Sequence, residues 1–295
     1  MAPSKTKTWP LLLGLAAVWF LSAACTERGS TTGVVVLSCV HGETADVSGL
    51  IHGDVVLEWR HEKAGGEATS PFHLAMVEQE LAPYGPVELV VRRDRRRLLV
   101  TIPIGRWGLH LRPGLDAPLA GKALEAQRAT DEDDFSIAAS LWKDLARSTA
   151  ERGRTTAAAW FHIQATAART RFEREYEPLG DLQNAADSIE DSRIRAAYWE
   201  RAGDLLITLG QTAAAGGALR SSIEIYEEEA PNSPAMAFAL LQLCRSNYRA
   251  CDTEANRALN IYRTIGTEPI EVATALNIIA TRAFFRSDLD GAEQG

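Results

Sequence analysis

The spacing of apolar residues changes once along the chain, near Pro118. Between residues 33 and 115, apolar and β-branched residues form short runs such as Gly33–Val40 and Arg97–Ile104, separated by Gly and Pro. Short runs bounded by turn residues are typical of strands. After Pro118 the apolar residues recur every three or four positions, as in the stretch that holds Tyr198, Ala202 and Leu205. That period predicts amphipathic helices of ordinary length.

The strand-rich segment, residues 33–115, predicts a small β-sandwich-like domain because its strands follow one another closely. One predicted hairpin turn, Arg93–Arg96, lies in a basic cluster in which five of the six residues from 92 to 97 are arginine. Such a cluster could meet anionic lipid. The alternative is an exposed hairpin tip that charge keeps soluble.

The first 25 residues predict an export signal. Lys5 and Lys7 precede an apolar run, Leu11–Ala24, that is shorter than the ~20 residues a spanning helix needs. The run ends in Leu21-Ser22-Ala23-Ala24-Cys25, which resembles the bacterial lipobox, although Ser22 stands where that motif usually has leucine. The resemblance implies that Cys25 is diacylated and becomes the mature N-terminus. Residues 26–32 are small and polar, and they predict a linker between lipid and fold.

The location implied by the lipobox resemblance is the periplasmic face of the outer membrane, because Thr26 rather than Asp follows the cysteine. The same residues also fit ordinary small-residue cleavage, which would give a soluble periplasmic or secreted protein. An uncleaved signal anchor is the third possibility. The chain has four cysteines. In an oxidising compartment Cys244 and Cys251 could form a disulfide, or Cys251 could simply fill a position that requires a small residue.

The helical half, residues 118–295, contains a repeat with offsets of 36 and 41 residues. Small residues recur in register along it, and the aligned sets are Gly203, Ala239 and Ala280; Gly210, Ser246 and Ser287; Ala215, Cys251 and Ala292; Ser222 and Ala258. The pattern resembles the tetratricopeptide repeat (TPR), in which small residues let two paired helices cross closely. It covers roughly residues 155–295 and is clearest over 192–295. The implied fold is mostly α, a TPR-like helical-hairpin solenoid preceded by the β-domain and the signal peptide.

The TPR resemblance also implies a binding surface, since members of the family bind partners on a concave face lined by the first helix of each pair. The matching residues here are Glu200, Asp204, Thr208, Met236, Leu240, Leu243, Asn277, Thr281 and Phe284. Glu200 and Asp204 would repel a carboxylate, so the expected partner is a basic or apolar protein segment. The alternative is that several of these side chains are buried between neighbouring repeats.

Catalytic motifs are missing from the sequence: it has no G-x-S-x-G, no H-E-x-x-H, no phosphate-binding glycine loop and no Cys/His metal spacing. No cofactor or metal is therefore expected. The net charge of −8 disfavours nucleic acid as a partner. These features predict a non-enzymatic, lipid-anchored interaction scaffold of the cell envelope.

Two alternatives to the scaffold remain open. The order of leader, β-domain and long repeats resembles the N-terminal halves of bacterial exported proteins that end in a caspase-like CHAT peptidase domain. The chain stops at Gly295 inside a repeat, which suggests a fragment of a longer protein or one completed by a partner. In that case the chain would be the regulatory part of such a peptidase. The other alternative is an envelope component whose β-domain binds glycan or lipid.

Overall fold

The structure, a computed structural model, describes residues 33–62, 64–247, 251–266, 272–281, 283 and 284. The predicted signal peptide, with Cys25, and the predicted linker lie outside these residues. The described chain is mostly helical and carries an antiparallel sheet near its N-terminus, as the change in apolar spacing predicts. None of its described helices combines the length and the apolar character needed to cross a bilayer.

The sheet has six antiparallel strands, and it replaces the two sheets of the predicted sandwich. Five strands lie side by side in the order β5-β4-β2-β1-β6, and β3 pairs with the second half of β2. The strands are β1 Val34–Cys39, β2 Val55–His61, β3 Ala64–Glu67, β4 Val87–Arg93, β5 Arg96–Ile102 and β6 Leu109–Pro113. The predicted hairpin turn joins β4 to β5, and its Asp94 has a φ of 55°.

The second layer of a sandwich is replaced by a helix, α2, that the periodicity does not predict. The short helix α1 spans Thr44–Val47, and α2 spans Pro71–Glu80. Ser70 caps α2 by accepting a hydrogen bond from the backbone N–H of His73, and Pro71 occupies the first turn, where its missing N–H costs nothing. Phe72, Leu74, Met76 and Val77 are all buried. A helix covered on several sides has no polar face, so its sequence lacks the 3.6-residue period.

Within the described residues, eight helices follow the sheet before residue 272, and each packs against the next. They are α3 Ala117–Asp131, α4 Phe135–Ala150, α5 Thr155–Phe172, α6 Pro178–Ala186, α7 Ser192–Thr208, α8 Thr212–Glu229, α9 Pro234–Ser246 and α10 Asp252–Ile265. Residues 272–281 are helical as well. Side chains of Asp134, Asp191 and Ser233 cap the N-termini of α4, α7 and α9, so polar capping residues set where these helices begin.

One apolar core joins the sheet to the first helices. Its buried members come from the inner face of the sheet, from α2 and from α3 to α8. Phe72 of α2 meets Tyr198 of α7 edge to face, with ring centroids 5.4 Å apart. Trp142, Trp160 and Phe161 form an aromatic group between α4 and α5. A second cluster lies mainly on α9 and α10.

Helices α7 and α8 cross closely at Gly203. A Cβ atom at this position would lie 2.6 Å from Cγ and 2.8 Å from Cδ2 of Leu219. Ala215, the small residue that follows Gly203 by twelve positions in the repeat, lies one turn before Leu219 on α8 and is fully buried. The 36-residue offset places Ala239 and Ala255 where this pair has Gly203 and Leu219. In the α9–α10 pair, alanine replaces the glycine on the first helix, and alanine also replaces the leucine on the second helix.

We expect Gly203→Ala to destabilise the protein by about 1–3 kcal/mol, because the added methyl overpacks the crossing against Leu219. Gly121→Ala on the exposed side of α3 is the matched control, since a Cβ there meets nothing within 4 Å. It should stabilise the protein by up to about 1 kcal/mol, which is the helix propensity difference between the two residues. Urea unfolding of both variants provides the comparison.

The double variant Gly203→Ala/Leu219→Ala copies the Ala239/Ala255 pair. Its loss of stability should fall short of the sum of the two single losses by at least about 1 kcal/mol, since the two side chains touch. Strictly additive losses would show that the two positions do not share a crossing.

Candidate functional site

The face predicted to bind partners is covered by the chain's own helix α2. Helix α2 contacts the alternate helices α5, α7 and α9, and α7 also contacts α5 and α9. These three helices therefore present one continuous side, and α2 lies across it. An ordinary partner segment cannot reach the part of this face that α2 occupies.

Three of the predicted groove residues are buried, which corrects the expectation that they contact a partner. Glu200 is 3% exposed, Met236 is fully buried and Leu240 is 3% exposed. The reason is tertiary: α2 packs on α7 and α9, the helices that carry these residues. The sequence also allowed burial between neighbouring repeats, but here helix α2, which is not part of a repeat, covers this side of α7 and α9.

The remaining groove residues are accessible to different degrees. Thr208, Asn277 and Phe284 are exposed, while Asp204, Leu243 and Thr281 are half-buried. Asp204 forms ion pairs with Arg245 at 3.3 Å and with Arg201 at 3.6 Å, so its charge is partly neutralised within the protein. The accessible part of the predicted groove is thus at the C-terminal ends of α7 and α9 and on the helical residues 272–281, 283 and 284.

Glu200 lies in a buried polar cluster between α2, α7 and α8. The cluster consists of Gln79, Glu80, Glu200, Ser222 and Tyr226, and each contributes at least one buried oxygen without a hydrogen-bond partner among the described residues. Both carboxyl oxygens of Glu200 belong to this group. Burial raises the pKa of Glu200 to about 8, although the nearby polar side chains of Gln79, Tyr226 and Ser222 favour its charged form. Glu200 is therefore largely protonated near neutral pH.

Two further carboxyl groups of α2 are buried at its contacts. Glu80 Oε2 accepts a hydrogen bond from Arg193 Nη1 at 3.1 Å, and burial still raises the pKa of Glu80. Glu78 Oε1 accepts a hydrogen bond from the backbone N–H of Trp107 at 2.8 Å. Burial raises the pKa of Glu78 to about 7, although the Trp107 N–H and Arg106 favour its charged form. The docking of α2 therefore places three carboxyl groups in surroundings that favour the protonated form.

The two candidate disulfide cysteines lie close together in space. Cys244 is fully buried and Cys251 is 1% exposed. The Cys244 thiol donates to the carbonyl oxygen of Cys251 at 3.4 Å. Their proximity across the α9–α10 corner agrees with the pairing that the sequence allows, and the disulfide itself stays a prediction.

Among the described residues, no group of three or more His, Cys, Asp or Glu side chains is placed to hold a metal ion. Comparison with known proteins adds no assignment, since no family model and no curated protein matches the chain. Gln79 and Glu80 were not predicted as parts of this face, because the spacing of apolar residues does not distinguish a helix at α2. The only available signal was the Ser70-Pro71 pair, which is a typical helix start.

We expect Glu200→Gln to stabilise the protein at pH 8 and to have little effect at pH 5. A carboxyl group with a raised folded-state pKa stays protonated in the native state while the unfolded chain loses its proton. The native state then binds more protons than the unfolded state between pH 4.5 and about 8. Its contribution to stability is fully present below pH 4.5 and is lost as pH rises through about 8.

The measurement is the free energy of unfolding in urea from pH 5 to pH 9. Removing Glu200 should reduce the downward slope of stability with pH by up to about 1.4 kcal/mol per pH unit. Glu224→Gln on the exposed side of α8 is the control and should leave the slope unchanged. An equal slope for wild type and Glu200→Gln would mean that Glu200 is not buried as described.

Proposed function

We propose that the chain is an exported, lipid-anchored interaction scaffold with TPR-like repeats, located at the periplasmic face of the outer membrane. The observation that carries the repeat assignment is the burial of small residues at matching positions. Ala215 and Ser222 of one pair, and Ala239, Cys251 and Ala258 of the next, are at most 1% exposed. The Gly203–Leu219 approach supports the close crossing that such repeats need.

The third copy of the repeat contributes less support. Ala280, aligned with Gly203 and Ala239, is exposed. Ser287 and Ala292, which would complete that copy, lie outside the described residues. Two successive helix pairs, α7–α8 and α9–α10, therefore carry the assignment.

The partner surface of this scaffold is the part of the predicted groove that α2 leaves open. It comprises Thr208 on α7 and Asn277, Thr281 and Phe284 beyond α10. Phe284 is 64% exposed, and Leu276 nearby is 44% exposed. Large exposed apolar side chains beside polar ones are common at protein-binding surfaces. The proposed partner is a protein or peptide with an apolar segment.

Site-specific photo-crosslinking in the host tests this proposal. A photoreactive residue at Asn277 or Thr281 should give a covalent adduct with another protein. The same residue at Leu124, which is 63% exposed on α3, should give none. Fractionation of the same cells tests the anchor, because Cys25→Ala should move the protein from the membrane fraction to the soluble fraction.

The proposed surface would be contradicted if Leu124 and Asn277 gave adducts in equal yield. It would also be contradicted if neither Asn277 nor Thr281 gave an adduct. A Cys25→Ala protein that fractionates as wild type does would contradict the lipid anchor alone. The two parts of the proposal therefore fail separately.

A further inference from the structure

Strand β5 forms an open edge of the sheet. It pairs with β4 along its whole length, from Arg93↔Arg96 to Val87↔Ile102, and no described strand lies on its other side. The outward backbone N–H and C=O groups of an edge strand can pair with an added strand. β5 is seven residues long, which is enough to pair with an extended peptide.

The outer face of β5 carries a short mixed strip. Arg97, Leu99 and Thr101 alternate on this face and are exposed, and Leu99 is 57% exposed. Their cross-strand neighbours on β4 are Arg92, Val90 and Glu88. An added strand would therefore meet positive charge near the turn and one exposed apolar side chain, Leu99, further along.

Three arginines at the turn, Arg95, Arg96 and Arg97, have few acidic partners among the described residues. Arg95 and Arg96 are exposed and form no ion pair with a described residue. Arg97 and Glu58 form a long ion pair of 3.9 Å, and Glu58 also pairs with Arg60 at the shorter distance of 3.3 Å. The chain as a whole carries a net charge of −8, so this end of the sheet is a positive region on an acidic molecule. Such a region attracts negatively charged partners and repels basic ones.

The turn is held in place by a buried ion pair. Arg93 donates from Nε and Nη2 to the two carboxyl oxygens of Asp54, both at 2.8 Å, and from Nη2 to the carbonyl oxygen of Gly49 at 2.7 Å. The Asp54 side chain is fully buried. A fixed turn lowers the entropy cost of binding because its neighbouring arginines start from a defined backbone position.

We propose that β5 and its arginine turn form a docking site for an extended acidic segment of a partner protein, which adds to the sheet as a further strand. Its carboxylates lie against Arg95, Arg96 and Arg97, and an apolar side chain lies against Leu99. An anionic membrane fits the arginines but makes no use of the open backbone edge and meets only one large exposed apolar side chain on this strand. The site is independent of the repeat assignment.

The test uses the full chain and a short capped peptide that alternates Val and Thr and ends in three Glu residues. Binding is measured by fluorescence anisotropy, and amide hydrogen exchange reports which backbone groups the peptide protects. The peptide should slow exchange within residues 96–102, and the same peptide with Lys in place of Glu should bind at least about tenfold more weakly.

The variant Arg96→Glu/Arg97→Glu changes only exposed side chains and should weaken binding of the Glu peptide by at least about tenfold. Arg220→Glu on the exposed side of α8 is the charge-matched control and should leave the affinity unchanged.

Three results would overturn the proposal. One is binding without protection of β5, and another is equal affinity for the Glu and Lys peptides. The third is arginine-dependent binding to vesicles of anionic phospholipid with no binding of the peptide, which would assign the turn to a membrane surface instead.

Discussion

The packing of helix α2 against α7 is the contact on which the rest of the molecule depends. Phe72 on α2 meets Tyr198 on α7, and the Tyr198 hydroxyl donates to the carbonyl oxygen of Leu182 on α6. Through α2, the inner face of the sheet and the helices share one apolar core. Helix α2 also covers the side of α5, α7 and α9 on which the sequence predicts partner binding. It therefore determines both the cohesion of the fold and the place where a partner can bind.

Placing α2 there has an electrostatic consequence. Its C-terminal residues Glu78, Gln79 and Glu80 are polar, yet the helix packs between the sheet and the helical array, and Glu200 of α7 faces it. A buried carboxylate is unfavourable unless it is paired, so these groups take up protons or find a cation. Glu80 is paired with Arg193, whereas Glu200 has no such partner among the residues described. We therefore expect the packing of α2 to be more stable in mildly acidic than in alkaline solution.

Much of the local structure follows from the sequence, because local rules act over a few residues. The change at Pro118, the β4–β5 hairpin and the helix breaks are all visible as apolar spacing and turn residues. The short strand β3, Ala64–Glu67, cannot be recognised in this way. Its Ala-Gly-Gly-Glu sequence has no β-branched residue, and it forms a strand by pairing with β2. The burial of three predicted groove residues escapes sequence analysis because it depends on a contact between distant parts of the chain. Whether Met236 faces solvent depends on α2, which is more than 150 residues away and whose sequence shows no helical period.

Native-state hydrogen exchange tests the central claim, that α2 joins the sheet and helices into one cooperative unit. The account predicts that the slowest amides of α2, of β4 and of α7 exchange with the same free energy, equal to that of global unfolding. It also predicts that Phe72→Ala lowers all three values together. Exchange of the α2 amides at a much lower free energy than those of β4 and α7 would contradict the claim, because it would show that α2 detaches while both layers stay folded.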